Sequence, residues 1–252
     1  MEPILKVTDL SKSFSRAGKK EFFAVDRVSF EVMPGEILGI VGESGSGKST
    51  LAKLITRQID PTAGTIEIDG QDITGLTGNK LIPVYSKIQM VFQMPAESFD
   101  PRRTLGDGIC ESLRNKGVPK AEREAKAVRI LKQCGLSGEF LERYPHQVSG
   151  GQCQRAAIAR ALMCDLRVLI FDEATSALDV TVQKQIIELL QKLQKEKDLA
   201  YLFICHNLAL VQQFCDKVIV LYDGKIVEHG LPDEVILHPK SDYAKCLVDA
   251  IF

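Results

Sequence analysis

Short apolar runs alternate along the chain with stretches in which apolar residues recur every three or four positions. "EILGIVG" (Glu36–Gly42) predicts a buried strand, and the pattern after it predicts a helix from near Lys48 to about Gln58. "GTIEIDG" alternates with period two, the mark of a half-exposed antiparallel strand. "KIQMVFQ" (Lys87–Gln93) predicts another strand. "RVLIFDE" (Arg167–Glu173) sets four apolar residues before two acids, which suits a parallel strand buried on both faces. "VTVQKQIIELLQKLQKEK" places Val182, Ile186, Leu190 and Leu193 on one helical stripe. "AYLFICH" and "KVIVLYDGKIVEHG" predict further strands, the last a hairpin turning at Asp223–Gly224. "SDYAKCLVDAI" predicts a closing helix capped by Ser241 or Asp242.

The alternation of strands and helices argues for an α/β fold, a largely parallel sheet covered by helices. Between Gln93 and Gln147 the texture changes. "PKAEREAKAVRILKQCGL" is rich in Lys, Glu, Ala and Arg, and no strong strand pattern appears there. This stretch reads as a mostly helical lobe, about residues 94–150, inserted into a single domain spanning 1–252. Residues 1–93 and about 151–252 then form the core. No internal repeat or low-complexity tract interrupts it.

Composition narrows the picture. The 252 residues suffice for one large α/β domain, and 45% hydrophobic with 26% charged residues is an ordinary globular mixture. A formal net charge of −1 gives no reason to expect nucleic acid as a partner. None of the seven Cys are spaced C-x-x-C, so they read as reduced thiols, with Cys205 and Cys215 as small core residues. The N-terminal residues lack an apolar core of signal-peptide length. No stretch reaches the ~18 consecutive apolar residues of a membrane span. If the protein works at a membrane, other chains hold it there.

One segment carries chemistry outright. Gly42-Glu43-Ser44-Gly45-Ser46-Gly47-Lys48-Ser49, followed by Thr50, fits G-x-x-x-x-G-K-[ST] between a predicted strand and a predicted helix. Glycines let the backbone turn tightly so that successive N–H groups point at phosphate oxygens. The helix N-terminus adds partial positive charge. Lys48 supplies a point charge for the β- and γ-phosphates, and the Ser49 hydroxyl is a ligand for Mg²⁺. Asp172, delivered at a strand end, is the acid to hold that metal. Glu173, one residue on, is placed to polarise water as general base.

With these residues in order, the chain resembles the ATP-binding-cassette proteins along essentially its whole length. "VSGGQ" (Val148, Ser149, Gly150, Gly151, Gln152) resembles their LSGGQ signature, with Val148 for the usual Leu. Gln93 in "VFQ" matches the Q-loop, "SALD" (Ser176–Asp179) the D-loop, and His206 in "ICHN" the switch histidine. Phe14 matches the aromatic that stacks on adenine, where Tyr is commoner. The resemblance implies a RecA-like P-loop core with an antiparallel β subdomain and an inserted α-helical subdomain. It implies that the signature helix docks on the γ-phosphate held by a partner subunit, so that two ATP molecules are sandwiched between two such domains. His206 would orient the γ-phosphate, Glu173 and the attacking water. Gln93 would touch Mg²⁺ or water and link the site to the helical lobe, and Asp179 would contact the opposite subunit's P-loop region.

"VFQMPAESFDPRRTLGDGI" and the ending "HPKSDYAKCLVDAIF" resemble the peptide- and nickel-importer branch, through Pro95, Ser98, Pro101, Arg102, Thr104, His238, Pro239 and Tyr243. That branch implies an ATPase at the cytoplasmic face of the inner membrane. Its partners would be a paralogous second ATPase (or a second copy of itself), two permease subunits and a solute-binding protein. An exporter or lipoprotein-release ATPase, or a soluble cassette protein acting on ribosomes or DNA, remain the alternatives. Met94, Cys153 and Asn207 depart from the usual pattern, and none of them is an expected phosphate or metal ligand.

Overall fold

The computed structural model describes residues 2–15, 21–176 and 178–249. Strands β1 (Leu5–Phe14), β2 (Phe22–Val32), β3 (Ile37–Val41), β4 (Ala63–Ile68) and β5 (Gln71–Asp72) come first, with helix α1 (Lys48–Ile55) after β3. Then follow α2 (Ile82–Lys87), β6 (Ile88–Val91), α3 (Leu105–Ile109), α4 (Glu111–Asn115), α5 (Lys120–Gln133) and α6 (Gly150–Ala161). The chain returns through β7 (Val168–Asp172), α7 (Val180–Lys197), β8 (Ala200–Ile204) and α8 (Leu208–Phe214). It continues with β9 (Lys217–Tyr222), β10 (Lys225–Gly230), α9 (Pro232–Leu237) and α10 (Asp242–Asp249).

A six-stranded sheet runs β10-β9-β3-β8-β7-β6, parallel except for β10, and a four-stranded antiparallel sheet runs β2-β1-β4-β5. The central parallel strands are apolar throughout because each of their faces meets a different core. Ile37 and Val41 of β3, Leu169 and Phe171 of β7, and Tyr201 and Phe203 of β8 pack with α5, α6, α7 and α8. Their alternates, Leu38 and Ile40, Val168 and Ile170, Leu202 and Ile204, pack with α1 and the antiparallel sheet. Period two thus survives inside an unbroken hydrophobic run. On the first face Phe203 meets Phe214 edge-on at 5.0 Å and Phe171 meets Tyr201 at 5.4 Å, while the Tyr201 hydroxyl donates to the Leu190 carbonyl at 3.0 Å.

The predicted strands, the α7 stripe and the hairpin at Asp223–Gly224 are present, both turn residues having positive φ (46° and 74°). Ser241 rather than Asp242 caps α10, its hydroxyl accepting the Ala244 N–H at 3.1 Å. The last predicted residues of that helix, 250 and 251, lie outside the described residues. Helix α1 ends at Ile55 rather than near Gln58, because Thr56 turns its hydroxyl back to the Ala52 carbonyl and Arg57 takes a left-handed φ of 55°. Strands β1 and β2 were not marked by the pattern. No strand occurs between β6 and β7 among the described residues, and that stretch is helical and turn-like. Cys205 and Cys215 are buried as free thiols. Among the described residues no helix is long and apolar enough to cross a membrane.

Candidate functional site

The glycine-rich turn joins the C-terminal end of β3 to α1. Gly47, the residue before the helix, has φ 107°, and a Cβ there would stand 2.2 Å from the Ala24 carbonyl oxygen, so only glycine fits. No side chain caps the first turn of α1, so its leading N–H groups stay available to an anion. The loop is braced by its own bonds: the Ser46 N–H donates to the Glu43 carbonyl at 3.2 Å, and the Gly224 N–H donates to the Ser46 carbonyl at 3.0 Å. Lys48 is buried, and its Nζ donates to the Gly42 and Glu43 carbonyls, 2.7 Å each. Burial pushes the Lys48 ammonium pKa down, while the negative charges of Glu173 and Asp172 work against that shift.

The acids reach this loop through strand pairing. In the parallel β7–β8 ladder Asp172 lies beside Ile204, so the residues that follow each strand emerge together. Asp172 accepts a hydrogen bond from the Ser49 hydroxyl at 3.1 Å, and burial raises its carboxyl pKa above the usual range. Glu173 sits at a left-handed φ of 49° and its N–H donates to the Ile204 carbonyl at 2.9 Å. That conformation, rare for a residue with a Cβ, turns the strand sharply at the acid. The imidazole Nδ1 of His206 stands 4.0 Å from Glu173 Oε2. Gln93, following β6, donates from Nε2 to the Ser176 hydroxyl at 3.2 Å, which donates in turn to the Glu173 carbonyl at 2.8 Å. Its amide therefore points along the Ser176–Glu173 backbone.

An open cleft of about 310 Å³ runs from Lys48, Ser49 and Glu173 to an aromatic edge; Gln93, Asp172 and His206 lie outside its lining. Its lining includes Phe14, Phe22, Phe23, Ser44, Gly45, Gly47, Lys48, Ser49, Thr50, Glu173 and Gly224. Phe14 stacks on Phe22 with centroids 5.9 Å apart, and Lys12 Nζ lies 5.3 Å from the Phe14 centroid. Phe22 and Phe23 were not singled out from the sequence. The adjacency of two aromatics was the signal in the sequence; the structure adds that they are 53% and 46% exposed at the start of β2.

Residues 148–152 do not line this cleft. Ser149 caps α6 in a reciprocal box: its hydroxyl accepts the Gln152 N–H at 3.3 Å, and the Gln152 side-chain oxygen accepts the Ser149 N–H at 3.0 Å. Ser149 and Gly150 are exposed, whereas Gly151 is buried, and a Cβ on it would meet Val182 Cγ1 at 2.5 Å. The helix end is thereby held flat against α7 and presented outward. Asp179 caps α7, accepting the Val182 N–H at 2.9 Å, while Ala177 within the same segment lies outside the described residues. Val148 packs at the edge of the core and Cys153 is buried. Asn207 keeps a capping role, accepting the Leu210 N–H at 3.1 Å.

The donor set beside the loop is one hydroxyl and one carboxylate, Ser49 and Asp172. Among the described residues no three His, Cys, Asp or Glu side chains gather to hold a metal. A sparse set of hard oxygen donors is what Mg²⁺ uses when phosphates and water complete its shell, so Ser49 and Asp172 fit that ion.

A family model described as "ABC transporter" matches residues 25–176. A glutathione import ATP-binding protein, GsiA, from Salmonella paratyphi A is 45% identical over 257 residues, covering 99% of this chain and 41% of that protein. The chain thus spans about two fifths of the length of such relatives. An oligopeptide transport ATP-binding protein, OppF, from Streptococcus mutans is 42% identical over 250 residues, covering 98% of this chain and 81% of that one. Among solved structures, the dimeric cassette MJ0796 bound to ADP and Pi superimposes with a TM-score of 0.82 at 31% identity, covering 90% of this chain and 98% of that one. CbiO1 from Clostridium perfringens, part of a cbiONQ transporter complex, gives 0.83 at 29% identity, covering 94% and 92%.

Proposed function

The chain belongs to the ABC transporter ATP-binding family, and from that membership we propose that it hydrolyses ATP to energise import of peptides or small peptide-like solutes. The observation that carries this reading is the meeting, at the ends of β3, β7 and β8, of a phosphate loop, the Ser49–Asp172 pair and the Glu173–His206 pair.

ATP binds with its adenine against Phe14 and its phosphates in the amides of residues 42–50, where Lys48 exchanges its carbonyl partners for phosphate oxygens. Ser49 and Asp172, and in this reading the Gln93 side-chain oxygen, would hold Mg²⁺, which would neutralise phosphate charge when bound. Glu173 takes a proton from the attacking water, and His206 holds Glu173 and the γ-phosphate in line. Water adds to the γ-phosphorus, the bond to the bridging oxygen breaks, and ADP and phosphate leave. The exposed helix end at Val148–Gln152 supplies the N–H groups outside the Ser149–Gln152 box to the γ-phosphate on a second ATPase chain, and Ser176 and Asp179 meet that chain beside it. Closure and release of this pair drive the motion. The helical lobe, about residues 94–150, passes it through the Gln93 region to two permease subunits at the inner face of the membrane, and a solute-binding protein delivers the cargo. The second chain is a paralogue or another copy of this one.

Peptide cargo is supported by the named relatives; nickel or a metal chelate rests on the resemblance of the segment after Gln93 and of the chain's closing segment. Phosphate release measured on the transporter reconstituted in vesicles tests the reading. Peptide-stimulated hydrolysis is expected. Hydrolysis unresponsive to any peptide overturns the cargo class, and absence of hydrolysis overturns the ATPase.

A further inference from the structure

The phosphate loop is held from a direction that the G-x-x-x-x-G-K-S motif does not contain. The Glu43 N–H donates to the Tyr243 hydroxyl at 2.8 Å, across 200 residues of sequence. The same peptide unit presents the Gly42 carbonyl that accepts Lys48 Nζ at 2.7 Å, and the next one presents the Glu43 carbonyl that accepts Lys48 Nζ at 2.7 Å and the Ser46 N–H at 3.2 Å. One hydroxyl therefore fixes the peptide whose carbonyl the lysine uses, and that peptide leads directly into the one that closes the loop's internal turn.

The hydroxyl is itself held rigidly. The Glu228 carboxylate, buried on β10, accepts the Lys240 N–H at 2.9 Å and the Ser241 N–H at 2.8 Å, anchoring the start of α10. The Ser241 hydroxyl then caps that helix, and Ala244 is buried beneath it. The Tyr243 ring lies on Tyr222, centroids 4.1 Å apart. Tyr222 ends β9 and leads into the Asp223–Gly224 turn, whose Gly224 N–H braces Ser46. The loop is thus gripped at Glu43 from α10 and at Ser46 from the β9–β10 turn.

We propose that Tyr243 is a positioning residue for nucleotide binding, its hydroxyl pre-setting the first peptide of the phosphate loop. The proposal rests on the ATPase reading above. A loop already in place binds phosphate without an ordering cost, and loosening one end restores that cost equally for ATP and ADP, which share the β-phosphate. Tyr243→Phe removes the hydroxyl and leaves the ring on Tyr222, so helix packing is retained.

The test compares wild type and Tyr243→Phe, as the full chain in its assembled transporter, by ADP titration, by KM and kcat for ATP, and by thermal melting without nucleotide. The expected result is ADP affinity weakened and KM raised by about three- to tenfold, with kcat within about twofold and an unchanged Tm. Equal affinities in the two proteins overturn the proposal while leaving the ATPase reading intact. A lowered Tm with unchanged affinity also overturns it, since α10 would then serve packing alone. If wild type itself binds neither nucleotide, the ATPase reading falls and the proposal with it.

Discussion

The Nδ1 of His206 lies 4.0 Å from Oε2 of Glu173 because β7 and β8 are parallel neighbours whose ends open onto the same loop. A water between the two and a phosphate on Lys48 would meet both groups. Glu173→Gln keeps the shape and removes the proton acceptor. ATP binding should persist while turnover falls by about 10²- to 10⁴-fold, read as phosphate release. A near-normal rate would assign the base elsewhere.

Lys48 is buried against loop carbonyls and the two acids. Lys48→Ala removes a charged group that burial disfavours, so the nucleotide-free fold should melt no lower than wild type by more than a few degrees. Binding of ATP should weaken by about tenfold or more, and hydrolysis should disappear. Calorimetric titration decides, and wild-type affinity in the variant would refute the cradle.

Asp172 carries a pH signature. Burial, opposed by the Ser49 hydrogen bond and reinforced by Glu173, holds its folded pKa above the ordinary carboxyl value. A raised folded pKa means that the folded state binds the proton more tightly. The contribution to stability is then complete below the ordinary carboxyl pKa and is lost as pH rises through the folded one. At neutral pH the ionised group is a cost, so Asp172→Asn should raise the Tm of nucleotide-free protein above the acidic range while abolishing hydrolysis. A variant that melts at or below wild type at pH 7 would contradict this.

Gly151 faces Val182 with no room for a methyl group. Gly151→Ala should cost about 1–3 kcal/mol in denaturant unfolding, and Val182→Ala in the same chain should restore part of it. Additive losses would show that the contact does not set the helix end in place.

The sequence revealed most where one physical demand dominated. Strands β7 and β8 were legible because both of their faces are buried, and the loop at Gly42–Ser49 because phosphate binding needs that glycine spacing. Strand β1 was not legible because it bulges: Asp9 takes φ 47°, the register with β2 shifts between Val7 and Leu10, and the buried positions slip from Leu5 and Val7 to Leu10. Alternation that changes phase mid-strand does not read as alternation. The Gln93–Ser176 bond and the Tyr243–Glu43 bond are contacts between segments distant in sequence, which no local pattern announces. Tyr243 was visible only as part of a closing motif, without the reason for it.

The proposed function requires that the cleft and the outward-facing Ser149–Gly150 helix end be two halves of one ATP site completed between chains. Light scattering on the Glu173→Gln variant with Mg²⁺ and ATP, alone and mixed with a paralogous ATPase chain, tests it most directly. The expected result is an ATP-dependent doubling of mass with one partner or the other, abolished when Gly150→Glu places a carboxylate at the helix end. Mass that stays at one chain with saturating ATP in both mixtures, or a doubling indifferent to Gly150→Glu, would contradict it.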